Sequence, residues 1–148
     1  MAALFAFLHH VAAFTLVAAL VVEFVLIGDA LTVRSARKLQ LADLVFGASA
    51  GVVLVAGLLR VFHFEKGAAY YFHSPFFVAK FSLFVIVAML SIIPTVEFLS
   101  WRKSVQRGEA PLIAARKLRA LRAILHWELA ALVVLVLCAA LMAKGGVA

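Results

Sequence analysis

Four stretches of this chain, roughly 2–27, 41–62, 75–99 and 120–142, run through apolar residues with few interruptions. Each approaches or exceeds the ~20 residues an α-helix needs to cross ~30 Å of hydrocarbon at ~1.5 Å per residue. They are too long, and alternate too little, for the ~9–11-residue strands of a membrane barrel. The expected fold is therefore all-α, an integral membrane four-helix bundle forming a single domain over residues 1–148. Composition agrees. The chain is 67% hydrophobic and only 14% charged, whereas a soluble domain averages about 45–50% apolar and about 25% charged residues.

The first apolar stretch opens "MAALFAFLHH", without Lys or Arg. A secretory signal peptide needs a basic start, a shorter apolar core and a cleavage site, so this stretch is expected to stay as a helix. Charge placement sets the expected orientation. The first connection holds Arg34, Arg37 and Lys38. The third, "SWRKSVQRGEAPLIAARKLRALR", holds Arg102, Lys103, Arg107, Arg116, Lys117, Arg119 and Arg122. Together these are ten of the fourteen basic residues. Basic loops stay on the cytoplasmic side, so both termini are expected in the periplasm of a bacterial inner (cytoplasmic) membrane. The basic balance then reflects topology and contact with anionic lipid heads. No nucleic-acid motif accompanies it, and nucleic acid is not an expected partner. Gly108 and Pro111 mark a break within the third connection, before a short basic amphipathic turn. Cys138 is alone, which excludes a disulfide within the chain, and reads as a small buried hydrophobe.

Two adjacent histidines, His9 and His10, lie inside the first apolar stretch. Successive helical residues turn by ~100°, so the face through His9 collects Ala12, Ala13, Leu16, Ala19, Leu20 and Glu23. The face through His10 collects Phe14, Val17, Val21 and Phe24. Small residues and intramembrane charges belong inside a bundle, whereas bulky apolar residues can face lipid. His9 is therefore expected to point inward, and His10 to sit at the edge or near the headgroups. Arg60, His63, His73 and Lys80 fall on the same outer side. Two of these histidines on different helices can ligate one haem iron while cations hold its propionates. His9 is the first candidate ligand, His63 the second, with His10 and His73 in reserve; Arg60 and Lys80 would face propionates or an anionic substrate. Imidazole also binds zinc or copper, and the chain has no HExxH, CxxC or CxxCH spacing. Structural or copper-handling histidines in a non-enzymatic membrane subunit thus form the alternative.

The opposite half carries acids. Asp29 and Asp43 are expected at helix ends, and Glu97 is expected to pair with Arg102 or Lys103. Glu23 and Glu128 lie deeper. With His126 they can relay protons, or they can form ion pairs with Arg119 or Arg122. Pro94 interrupts one hydrogen bond of the third helix and is expected to kink it. Gly47 and Gly51 stand at GxxxG spacing, which permits close helix contact.

The segments "FLHHVAAFTLVAALVVE", "GLLRVFHFEKGAAYYFHSPFFVAKFSLF", "SIIPTVEFLSWRK" and "HWELAALVVLVLCAALMAKG" resemble an uncharacterised bacterial family of small four-helix membrane proteins over nearly the whole chain. More distantly, the layout is similar to HemJ-type protoporphyrinogen oxidases and CopD-like membrane domains. The "LHH" position and Lys80 match a helix-one histidine and a helix-three lysine of the HemJ pattern. That resemblance implies haem b, a quinone or porphyrin-type substrate, and membrane redox chemistry. The chain departs from the HemJ pattern at Glu23, where that pattern has a nearby arginine. It also departs at His126-Trp127-Glu128, where the pattern has Asn-Glu. Haem binding therefore carries over better than the oxidase activity. Association as a homo-oligomer or as a subunit of a larger complex is compatible with everything above.

Overall fold

A computed structural model describes residues 1–28, 30–64 and 72–143. Asp29, most of the second connection (65–71) and the tail 144–148 lie outside the described residues, and with them the expected helix-end role of Asp29. Among the described residues four long helices form the bundle: α1 (Ala2–Leu26), α2 (Val33–Leu59), α3 (Pro75–Ser100) and α5 (Ala115–Ala143). A short helix, α4 (Arg102–Gln106), lies between α3 and α5. All four long helices are long and apolar enough to cross a membrane.

Two helices start earlier than their apolar runs. α2 begins at Val33 rather than near residue 41, and α5 at Ala115 rather than near 120. The cause at α2 is a cap: the Thr32 side chain accepts from the Ser35 amide, and Ser35 reciprocates to the Thr32 amide. Such a box satisfies two amides that would otherwise lack partners. The basic residues 34, 37 and 38 therefore sit on helical turns rather than in a loop. Leu59 passes into a π-helical turn over Arg60–Phe64. Helix α3 opens on Pro75, which suits a first-turn position, and runs on through Pro94 to Ser100. Beyond α4, Gly108 takes φ +76°, a left-handed turn natural to glycine. An extended stretch through Pro111 then leads into α5.

Helix α1 packs along α2, and α3 along α5; α1–α5 and α2–α3 contacts close the bundle. Leu16, Leu20, Leu39, Phe46, Phe98 and Leu125 form the centre of the core. Large apolar side chains such as Phe14, Leu44, Met89 and Val133 point outward, as lipid permits. The inward face of α1 is the one the spacing predicts: Ala12, Leu16, Ala19, Leu20 and Glu23 are buried, while His10 and Phe14 are exposed.

Candidate functional site

A cavity of about 160 Å³ lies between α1, α2, α3 and α5, at the end of the bundle away from the basic connections. Its polar residues are His9, Arg60 and Lys80; Val53, Phe77, Phe81, Phe84, Leu135 and Met142 are among its apolar walls. Each polar residue arrives by a different route. His9 lies two turns into α1. Arg60 is the first residue of the π-helical turn that ends the second span. Lys80 lies one turn and a half into α3, its ammonium 5.5 Å from the centre of the Phe77 ring.

The His9 ring is held in place. Its Nδ1 lies 3.1 Å from the Val53 carbonyl oxygen. A carbonyl can only accept, so Nδ1 carries a proton, and in the neutral ring Nε2 keeps its lone pair. This arrangement orients histidine ligands in metal and haem sites. Gly57 makes room for the ring: a Cβ there would stand 3.3 Å from His9 Cε1 and 3.5 Å from Nδ1.

The other histidines do not join it. The His10 ring turns to the Ala6 carbonyl of its own helix, with Nδ1 2.6 Å away, and is exposed. His63 and His73 are exposed, and neither lines the cavity. Thus the cavity brings together three of the expected site residues, His9, Arg60 and Lys80, without the expected second ligand His63. Met142, the last residue of the fourth apolar stretch and not among the expected site residues, lines the cavity, and a thioether is one of the ligand types that haem iron accepts. No group of three His, Cys, Asp or Glu side chains converges on a metal-sized site among the described residues.

The donor set fits haem b at one face of the iron: one oriented imidazole, aromatic walls and two cations for carboxylates. In volume the cavity is comparable to the ~150 Å³ cavity that admits a single benzene ring. A single six-membered ring fits within it, whereas a porphyrin is larger than the enclosed volume.

At the basic end, several expected pairings differ. Glu97 accepts from Trp101 Nε1 at 3.0 Å and pairs with Lys117 of α5, rather than with Arg102 or Lys103. Asp43 is not at a helix end, because α2 starts ten residues earlier. It is buried and accepts a 2.6 Å hydrogen bond from Thr95 Oγ1. Glu23 and Glu128 are buried, yet Glu23 Oε1 and both Glu128 oxygens have no hydrogen-bond partner. Arg122 does not pair with them; its guanidinium lies 5.7 Å from the Phe24 ring centre. Arg119 is exposed. His126 is exposed too, its ring 6.1 Å from Phe24 and 5.9 Å from Trp127.

These features define a four-helix membrane protein with a cationic, aromatic cavity at one end and buried acids toward the other. The chain belongs to the predicted membrane protein family DUF2214, whose model matches residues 1–146. No curated protein and no solved structure matches it.

Proposed function

We propose that this is a membrane-embedded haem b-binding redox protein in which His9 ligates the iron and Arg60 and Lys80 face the propionates. The observation that carries this reading is the His9 ring, fixed through Nδ1 on the Val53 carbonyl at the wall of an apolar cavity with two cations. The likeness of the "LHH" and Lys80 positions to the HemJ pattern supports it. Haem held there would supply one-electron chemistry, for exchange with quinone or for oxidation of a porphyrin-type substrate. The protein's own part is to orient one axial nitrogen, exclude water with Phe77, Phe81 and Phe84, and neutralise the carboxylates.

An optical spectrum of the protein purified from its membrane tests this reading. A Soret band is expected, lost or shifted in His9→Ala and retained in His10→Ala, His63→Ala and His73→Ala. A spectrum without haem in protein that inserts normally overturns it.

A second reading rests on the cavity's volume. A quinone ring alone would fill the space, with His9 Nε2 accepting from a quinol hydroxyl or, when protonated, donating to a quinone carbonyl. Saturable binding of a short-chain quinone to haem-free protein, weakened in His9→Ala, favours this reading over haem.

A further inference from the structure

Three carboxyl groups enter the interior of the basic half of the bundle from three different helices. Glu23 of α1 is 1% exposed, Asp43 of α2 8% and Glu128 of α5 0%. They are neighbours electrostatically: Glu23 feels both Asp43 and Glu128, and Glu128 feels Asp43. The fourth long helix contributes Thr95, whose hydroxyl donates to Asp43. Asp43 lies about 15 Å along α2 from Val33, and Glu128 about 20 Å along α5 from Ala115, at ~1.5 Å per residue. The apolar runs begin only near 41 and 120, so Asp43 lies about 3 Å and Glu128 about 12 Å inside the hydrocarbon boundary, and Glu23 about 5 Å from the end of α1.

Among the described residues, no basic side chain pairs with Glu128 or with Glu23 Oε1. Several charged or titratable groups in the same half of the bundle make other contacts. On α5, Arg122 covers Phe24 and His126 is exposed beside Phe24 and Trp127. On α3, Glu97 is engaged by Trp101 and Lys117. On α2, the nearest polar neighbour one turn before Asp43, Gln40, donates to the Phe98 carbonyl. The carboxyl oxygens of Glu128 are both buried and unpartnered, and so is Glu23 Oε1. Buried polar groups in native proteins nearly always find a partner, and exceptions ask for a missing one. Three ionised carboxylates this fully buried among helices, without a cation, would carry a large desolvation cost and mutual repulsion. The groups do not converge into a metal-sized site. Protonation removes the charge, and with it the desolvation cost and the repulsion, and turns one oxygen of each acid into a donor.

We propose that Glu23 and Glu128, with Asp43 nearby, form a buried intramembrane proton site that exchanges protons with water. Thr95 supplies one hydrogen bond to Asp43, which leaves the two glutamates as the groups that trade protons. His126, expected in the relay from its spacing, takes no part. The proposal is independent of what the His9 cavity binds. It involves only proton transfer between water and carboxyl oxygen, so no oxidant or co-reactant is needed.

Infrared spectroscopy of the full chain in lipid nanodiscs tests it. The wild-type protein should show the carbonyl stretch of un-ionised carboxylic acids. That band should shift completely in deuterium oxide while the core amides remain protected. Glu23→Gln and Glu128→Gln should each remove part of the band, the double variant most of it, and His126→Gln none. Absence of the band in the wild type overturns the proposal without recourse to any variant. A band that does not exchange also overturns it, because locked acids are structural. Saturable binding of radioactive sodium that is lost in Glu128→Gln would replace the proton with a metal cation.

Discussion

The Nδ1 atom of His9 lies 3.1 Å from the carbonyl oxygen of Val53, and the ring rests against α2 at Gly57. One side chain of α1 is thereby fixed to the backbone of the helix it packs along most extensively. A glycine inside a helix costs about 1 kcal/mol relative to alanine, and at 57 the His9 ring stands where a Cβ would crowd it.

That cost can be separated from the ring's requirement by comparing two glycines of α2. A Cβ at Gly47 meets nothing within 4 Å, whereas one at Gly57 meets His9. Gly47→Ala is expected to stabilise the protein by up to about 1 kcal/mol, and Gly57→Ala to give no gain or a loss. Unfolding in mixed detergent measures both. An equal gain at the two positions would show that the His9 ring is not seated on α2.

The contact of Thr95 with Asp43 offers a second measurement. Thr95→Val keeps the shape and deletes the donor, leaving a buried acceptor short of a bond at a cost of about 1–3 kcal/mol. Asp43→Asn keeps an oxygen for Thr95 and should cost less. The reverse order in unfolding free energy would remove the 2.6 Å bond from the account of how α2 and α3 join.

Glu97 ties α3 to α5 through Lys117 and holds the Trp101 indole. Glu97→Ala is expected to destabilise by about 1–3 kcal/mol, because it strands the largely buried indole N–H. Lys117→Ala should cost under about 1 kcal/mol, since its ammonium end is mostly solvated. Arg102→Ala and Lys103→Ala should leave the melting temperature within error. A large loss from either would restore the pairing that sequence proximity suggests.

Orientation is a prediction from charge. With Cys138 replaced by Ser, Gln106→Cys should resist an impermeant thiol reagent in intact cells, and His73→Cys should react. Reaction at position 106 alone would place the basic connections outside and invert the bundle.

The four spans and the inward face of α1 were legible because each rests on a strong periodic or additive signal. Glu23 and His9 share that face by helical rotation alone. The extra turns of α2 were not visible from apolarity, which stops where the headgroups begin; Thr32 and Ser35 carry the signal, in a weaker capping pattern than the usual acidic one. Missing those turns misplaced Asp43 at a helix end. The grouping of His9 with Arg60 and Lys80 followed from topology. The separation of His63 from it did not, since that depends on a local π turn. Glu97 found Lys117 rather than its sequence neighbours because α5 runs alongside α3, a tertiary fact that spacing along one helix cannot contain.

His9 and Glu23 stand fourteen residues apart on α1, about 21 Å along its axis and within about 40° around it. This gives α1 the character of a key with two teeth cut on one edge. Any roll of the helix that withdraws the imidazole from α2 also swings the glutamate toward the acyl chains, and any roll that re-seats one re-seats the other. The two ends of the molecule are therefore mechanically geared through one rigid rod. A disturbance at either lock should be felt at the far one without any change in the core between them.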